Sequence, residues 1–290
     1  MVQFMEFCVG DFFPYLKWID VLRGFTGRLK ETSKELDTFL EEVIEDHMAK
    51  GEDGSDKKDF VDIFLQLRRD DMLGFELTQD HLKAILLDMF VGGSDTTSVG
   101  LEWLMAELVK NPRVMRKVQE EVRRVVGNKP KIDMNDINQM DYLKCVIKEN
   151  LRLHPSLPLL LPRETSANIS LEGYEIPANT QVFINAWAIH RNPSSWERPE
   201  DFIPERFENI TIDYKGQDFE FVTFGSGRRG CPGMAFAIAS TEFIITNLLY
   251  WFDWKFVGDG LPEDLDMSDS YGLSVYKKVP LHLKPIPYSP

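Results

Sequence analysis

Cysteine and histidine are both scarce in this chain of 290 residues. The three cysteines, Cys8, Cys145 and Cys231, lie far apart and form no C-x-x-C pair. Their number and spacing exclude a disulfide framework and a zinc-finger site, and are typical of a reducing compartment. The five histidines show no ligand spacing such as H-x-x-x-H, so each is expected at the surface or in the core.

The chain also lacks an excess of positive charge. It has 33 Lys and Arg against 47 Asp and Glu, which gives a net charge of −14. No large basic face is available to neutralise phosphates, so nucleic acid is excluded as a partner. The N-terminal residues show no basic start followed by an unbroken apolar run, so no targeting peptide is expected.

Long uncharged runs are missing as well. The longest nearly uncharged stretch, Met234 to Phe252, still contains Glu242. A charge near the centre of a membrane helix costs about 2.5–3.5 kcal/mol. The stretch therefore predicts a buried core helix, and no membrane span is expected.

What is present is ordinary globular composition with helical patterning in the first half. Hydrophobic residues make up 43% of the chain and charged residues 28%. Apolar spacing and breakers predict helices over residues 25–48, 59–69, about 79–110, 112–126 and 141–153, with a polar linker at 50–58. Short β-prone runs between turn residues follow from about residue 156, so the prediction is a mainly α protein with a small C-terminal β region.

One cysteine lies in an unusual setting. The strand-like run Phe219–Phe224 leads into a glycine-rich loop, and the loop presents Cys231 just before a long apolar helix. A helix N-terminus, together with Arg228 and Arg229, favours a thiolate. Glycines allow the backbone to approach a flat or anionic group closely. A thiolate in such a loop is suited to be an axial ligand of haem iron.

Two other interpretations of this loop stay open at this point. Gly225, Gly227 and Gly230 match the G-x-G-x-x-G dinucleotide fingerprint, and Asp253 falls near the position of a ribose-binding acid. Alternatively, the cysteine is an inert buried thiol in a turn.

The predicted helix over 79–110 contains Gly92-Gly93-Ser94-Asp95-Thr96-Thr97 at its centre. Each glycine costs roughly 1 kcal/mol relative to alanine inside a helix, so a helix break is one interpretation. The other is an opening for a ligand against the backbone, with Asp95 and Thr96 placed to transfer protons.

A charged pair and a later arginine complete the motifs. Glu149 and Arg152 lie three residues apart on one predicted helix, where a surface ion pair is the simplest interpretation. Arg206 follows in Phe202-Ile-Pro-Glu-Arg206-Phe207. A glutamate held between two arginines would fix this irregular segment against the helix.

Taken in order, G-G-S-D-T-T, E-x-x-R, F-x-P-E-R-F and F-x-x-G-x-R-x-C-x-G resemble the cytochrome P450 family of haem-thiolate monooxygenases, most of all its plant A-type group. The resemblance covers essentially the whole chain and makes the dinucleotide interpretation remote. It implies that residues 1–290 form a single partial domain, with a helical part over 1–155 and a β region, meander and cysteine loop over 156–290.

The resemblance also implies roles for individual residues. Cys231 would be the proximal ligand of the iron of haem b, shielded by Phe224. Thr96 and Asp95 would deliver protons during oxygen activation. Glu149, Arg152 and Arg206 would form a structural triad. The remaining cofactor contacts would be made by Gly227, Gly233, Gly92 and Gly93, with Arg229 and Arg163 on the propionates. The substrate pocket would include Met89, Phe90, Leu157, Leu159, Leu160, Tyr271 and Leu273.

The implied reaction inserts one atom of dioxygen into a small lipophilic molecule, with electrons from an NADPH-dependent flavoprotein reductase. The family is expected at the cytosolic face of the endoplasmic reticulum membrane. Family members are much longer than this sequence, so the chain is expected to be a C-terminal portion without the anchor, soluble or peripheral. A haem-free, inactive remnant or an interaction protein is the alternative.

Overall fold

The computed structural model describes residues 8–50, 58–70, 74–258, 260–270 and 272–289. Most of the predicted linker at 50–58 therefore lies outside the described residues. The predicted fold class, mainly α with a small β region, is confirmed by the element order. The chain divides into two compact units, Met1–Ser94 and Asp95–Pro290.

All regular elements of the first unit within the described residues are helices. It contains α1 (Val9–Phe12), α2 (Lys17–Leu22), α3 (Phe25–Lys50), α4 (Phe60–Arg69) and the first half of α5 (Gln79–Lys110). Asp59 and Asp62 form a capping box at the start of α4. Apolar residues from α3 and α5 make the core of this unit: Leu40, Ile44, Leu82 and Leu86.

The second unit carries the larger core. The rest of α5 joins α6 (Pro112–Val126), α7 (Met134–Asn138), α8 (Asp141–Leu153), α9 (Ala186–Ile189) and α10 (Met234–Trp251). The bounds predicted for α6 and α8 are confirmed. Proline at the first position starts α6 and Gly127, with a φ of 60°, ends it. The core lies where these helices meet, and includes Leu104, Leu108, Val122, Leu143, Val146, Ile245 and Leu249.

The described strands pair as four small antiparallel sheets. β1 (Arg163–Glu164) pairs with β4 (Gln181–Val182), and β2 (Ile169–Leu171) pairs with β3 (Tyr174–Ile176). β5 (Phe252–Phe256) pairs with β8 (Leu283–Pro287), and β6 (Asp269–Ser270) with β7 (Tyr276–Lys277). Glu172 and Gly173, both with positive φ, make the tight turn of the β2–β3 hairpin.

One local prediction and one of the two interpretations left open for the glycine pair are wrong. Residues 219–224 do not form a strand: Phe221 N–H donates to the carbonyl of Asp218 at 3.0 Å, and Gly225 N–H to that of Val222 at 2.8 Å. The run therefore consists of turns. The glycine pair does not break the predicted helix either, because α5 runs without interruption from Gln79 to Lys110. The propensity cost of two glycines, about 2 kcal/mol, is small for a helix of 32 residues and does not interrupt it.

The expectation for the apolar helix α10 is only partly right. Its C-terminal half is buried through Ile245, Leu249 and Tyr250, whereas Phe236 and Phe243 nearer the N-terminus are exposed. Over the whole helix 22% of the residues are buried. In length and composition α10 could cross a membrane, a property that core helices of soluble proteins share.

Candidate functional site

Cys231 is presented on an open loop ahead of α10. A short 3-10 turn, Gly227–Arg229, precedes it, and α10 begins at Met234 with Gly233 as its N-cap. The Cys231 side chain is exposed, and its backbone N–H donates to the carbonyl of Phe224 at 2.9 Å. This bond folds the loop back on itself and leaves the sulfur free to meet a ligand. The interpretation of Cys231 as a buried thiol is therefore wrong.

Glycines allow the loop to adopt this shape. Gly225 and Gly227 have φ values of 70° and 69°, in the left-handed region that disfavours other residues. A Cβ on Gly227 would meet no atom of the described residues within 4 Å. A Cβ on Gly233 would lie 3.9 Å from Cys231 Sγ. The backbone thus approaches the thiol with no side chain in the way.

The dinucleotide interpretation of the same glycines is wrong. No strand leads into Gly225, and every strand pair among the described residues is antiparallel. Asp253, the candidate ribose ligand, lies in β5 and accepts a hydrogen bond from Arg123 Nη2 at 2.9 Å. The βαβ unit on which that fingerprint depends is absent from the residues that the structure describes.

Two arginines lie beside the loop. Arg163 Nη2 donates to the carbonyl of Arg229 at 3.2 Å, so the two residues are neighbours. A Cβ on Gly225 would lie 3.8 Å from Arg163 Nη2 and 3.9 Å from Leu160 Cδ1. The guanidinium of Arg163, a group that suits carboxylates, and the buried Leu160 therefore lie beside the loop. The exposed thiol, the bare glycine backbone and this neighbouring cation together fit haem b, a flat iron porphyrin with two propionates.

Asp95 is held by hydroxyl groups from the C-terminal β region. Ser274 Oγ donates to Asp95 Oδ2 at 2.7 Å, and the Tyr276 hydroxyl donates to Asp95 Oδ1. Burial, with the hydrogen bond to Asp95, raises the pKa of Tyr276 to about 12. The phenol therefore remains a donor at neutral pH, and both carboxylate oxygens of Asp95 have partners.

The neighbouring Thr96 is fixed through its backbone. The Thr96 carbonyl accepts a hydrogen bond from Ser156 Oγ at 3.0 Å. One helical turn later, the Gly100 carbonyl accepts from Asn150 Nδ2 at 3.0 Å. Two side chains from α8 and the segment after it thus bond successive turns of α5. Gly92 and Gly93 lie on the same helix, in the first unit.

Glu149 lies between Arg152 and Arg206. Its carboxylate accepts from Arg152 Nε at 2.8 Å, Arg152 Nη2 at 2.9 Å and Arg206 Nε at 3.0 Å. The Ile203 N–H also donates to it, at 2.8 Å. The side chains of Glu149 and Arg152 are both fully buried, so the simple interpretation as a surface pair is wrong.

The residues predicted for a substrate pocket lie in different parts of the chain. Leu157, Leu159 and Leu160 follow α8, and Leu160 is buried whereas Leu159 is exposed. Leu273 is half-buried and precedes Ser274. Met89 and Phe90 belong to α5 in the first unit, where Phe90 is exposed. Tyr271 lies outside the described residues.

Three residues at or near the site make contacts that were not predicted from the sequence. Ser274 and Tyr276 bond Asp95 although they follow it by 179 and 181 positions. His190 was expected only to be a surface or core residue; it is fully buried and bonded at both ring nitrogens. A polar ring at the end of the apolar stretch Ala186–Ile189 was a signal of burial, but it did not identify the partners.

A comparison with protein families places the chain. The family model described as Cytochrome P450 matches residues 1–284, and the chain belongs to this family. It is 56% identical over 293 residues to phenylacetaldehyde oxime monooxygenase of Prunus mume, covering 100% of this chain and 56% of that one. It is also 56% identical over 281 residues to cytochrome P450 71A1 of Persea americana, covering 96% and 56%. The resemblance to plant members is thereby confirmed.

The fold agrees with solved structures of the family. A zebra fish cytochrome P450 with abiraterone superposes with a TM-score of 0.77 at 27% identity, covering 90% of this chain and 60% of that one. The chain spans little more than half the length of the curated relatives it matches.

Proposed function

We propose that this protein is a haem-thiolate monooxygenase, or the thiolate-bearing part of one, that acts on a small lipophilic plant metabolite. The observation that carries the proposal is the exposed Cys231 on its glycine loop, with its N–H bonded to Phe224 and with Arg163 and Arg229 beside it. Electrons come from an NADPH-dependent flavoprotein reductase, and the protein works at the cytosolic face of the endoplasmic reticulum membrane.

Bound haem would supply the activation of dioxygen and the insertion of one oxygen atom. Cys231 would hold the cofactor through its sulfur, and the bare backbone at Gly227 and Gly233 would let the ring come close. Phe224, whose carbonyl accepts from the Cys231 N–H at 2.9 Å, would shield the sulfur. Arg163 and Arg229 would balance the negative charge of the propionates.

The turn of α5 that carries Asp95 and Thr96 transfers protons to the site. The bond from Ser156 to the Thr96 carbonyl keeps the helix backbone in place, so that the Thr96 hydroxyl is presented at a constant position. Leu157, Leu159 and Leu273 provide apolar surface for a lipophilic substrate, and the buried Leu160 lies beside the cysteine loop.

The test is the carbon monoxide difference spectrum of the reduced protein, purified after expression with ample haem precursor. A red-shifted, thiolate-type Soret band is expected for the wild type and for Cys8→Ser, a control at a cysteine of the first unit. Cys231→Ala is expected to lose the band. Retention of the band in Cys231→Ala would refute the assignment of the ligand.

The same protein tests the role of the helix. Thr96→Ala should keep the thiolate band but divert electrons to peroxide when a reductase is supplied. Thr97→Val is the matched control, because the buried Thr97 hydroxyl has no hydrogen-bond partner among the described residues. Equal coupling of electrons to product in Thr96→Ala and wild type would contradict the role of Thr96.

A second candidate is a haem-free protein that serves in protein interaction. The exposed apolar residues Phe236, Phe243 and Ile244 on α10 favour it, because large exposed apolar patches mark interaction sites. A wild-type protein with no haem band, stable and associated with a partner, would support this candidate.

A further inference from the structure

The C-terminal end of α8 is closed by side chains from distant segments. The last four carbonyls of a helix lack partners within the helix. In α8 the first of them, on Asn150, accepts from His154 N–H at 2.7 Å. The other three accept from side chains: Leu151 from Thr223 Oγ1 at 3.0 Å, Arg152 from His190 Nδ1 at 3.1 Å, and Leu153 from Arg191 Nη2 at 2.6 Å.

His190 is bonded on both sides of its ring. Because a carbonyl can only accept, Nδ1 carries the proton that is donated to Arg152. Nε2 then accepts from the N–H of Val222 at 3.0 Å. Burial, with help from the nearby Arg152 charge, lowers the pKa of His190 to about 4. The imidazole is therefore neutral and holds one tautomer.

The ring is also fixed in position. Arg152 Nη1 donates to the His190 carbonyl at 2.8 Å while the His190 side chain bonds the Arg152 carbonyl, so the two residues bind each other reciprocally. The His190 ring meets Phe221 edge-on with centroids 5.4 Å apart. His190 has no exposed surface. A ring fixed in this way can hold the backbone N–H that it binds in a defined position.

That backbone leads directly to Cys231. The Val222 N–H donates to His190 Nε2, and the Val222 carbonyl accepts from the Gly225 N–H at 2.8 Å. Phe224, two residues after Val222, accepts from Cys231 N–H at 2.9 Å. Because residues 221–226 belong to no strand, no ladder holds them, and the His190 bond replaces a ladder bond for Val222.

We propose that His190 is a positioning residue for the Cys231 thiolate, which couples the end of α8 to the loop that presents the sulfur. The effect on a haem thiolate rests on the proposed function. The effect on the position of the loop backbone rests on the hydrogen bonds alone. Thr223 assists by bonding the adjacent carbonyl of α8.

The test compares His190→Leu, which removes both hydrogen bonds, with His190→Gln, whose amide can donate to Arg152 and accept from Val222. Leu143→Ala is the control, because it opens a cavity in the core with no part in these bonds. The first measurement is the ratio of thiolate-type to neutral-sulfur Soret bands with carbon monoxide, at equal haem content. The second is amide exchange over residues 221–231 in the haem-free protein.

His190→Leu is expected to shift the spectrum toward the neutral-sulfur band and to speed exchange at Val222 and Cys231 about tenfold, the effect of one lost hydrogen bond. His190→Gln should recover most of both signals. Leu143→Ala should lower the melting temperature and keep the wild-type band ratio. If His190→Leu does not fold, His190→Asn, whose shorter side chain cannot reach both partners, replaces it.

A wild-type band ratio in His190→Leu, or an equal change in Leu143→Ala, would overturn the proposal. If the wild type binds no haem, the proposed function fails, and amide exchange decides the positioning role by itself. Unchanged exchange at Val222 in His190→Leu would then reject it.

Discussion

The buried carboxylate of Glu149 gives the sharpest prediction for stability. Replacing Glu149 by Gln keeps the size of the side chain but removes its charge. Arg152, whose side chain has no exposed surface, would then keep a buried positive charge with a neutral partner. Breaking a buried ion pair by removing one partner costs about 3–5 kcal/mol.

The geometry favours the lower end of this range. Arg152 also donates to the carbonyls of His190 and Pro199 at 2.8 Å and of Asp201 at 3.1 Å, so its charge stays partly solvated by backbone dipoles. We expect Glu149→Gln to lower the free energy of unfolding by about 3 kcal/mol. For a unit of this size that corresponds to a drop in melting temperature of about 10 °C.

Thermal unfolding followed by circular dichroism measures the effect, with Glu200→Gln as the control. Glu200 pairs with Arg191 at 3.1 Å, but 67% of its side chain is exposed, so its loss should cost less than about 1 kcal/mol. A Glu149→Gln protein that melts within 2–3 °C of Glu200→Gln, a gap of about 1 kcal/mol, would refute the view that the buried charge holds this region.

Two further predictions concern pH and the glycines. The pKa of His190 falls from 6.5 in the unfolded chain to about 4 in the fold, so its contribution is complete above pH 6.5 and is lost as pH falls toward 4. Urea titrations should therefore find about 3 kcal/mol less stability at pH 4 than at pH 7 from this group, and a parallel titration of His190→Gln should lack that part of the slope. Gly216→Ala should destabilise more than Gly227→Ala in the haem-free protein, because a Cβ on Gly216 would lie 2.9 Å from the Gly225 carbonyl and one on Gly227 would meet nothing. Gly227→Ala should instead lower haem content, and equal melting temperatures of the two variants would contradict this contrast.

The sequence predicted the helices well because their signals are local. Pro112 and Gly127 bound α6, and the apolar spacing of α8 repeats within 13 residues. The short strands were predicted as a region rather than as pairs, since strands of two or three residues carry little periodicity. The strand predicted over residues 219–224 was wrong for a related reason. Their apolar pattern suits a strand, but none of the described strands pairs with them.

The contacts around the site are harder to predict from sequence. The cysteine loop follows from its glycines and the proline, whereas the partners of Asp95 lie about 180 residues away in the chain. No periodicity connects positions so distant. Glu149 and Arg206 could be connected only because a family motif relates them. His190 belongs to no motif that we identified, so its place became visible only with its hydrogen bonds.

Arg152 connects the ion pairs of Glu149 with the hydrogen bonds of His190. Its guanidinium bonds Glu149, which binds Arg206, and also the carbonyl of His190, whose ring binds Val222 on the way to Cys231. Both paths serve segments without regular secondary structure, whose buried backbone groups still need partners. Because one buried cation supports both, substitutions at Glu149 and His190 should not act independently. A double-mutant cycle with Glu149→Gln and His190→Leu, which removes both side-chain hydrogen bonds of His190, should give a coupling free energy of at least about 0.5 kcal/mol, and strict additivity would show that the Glu149 ion pairs and the His190 hydrogen bonds act separately.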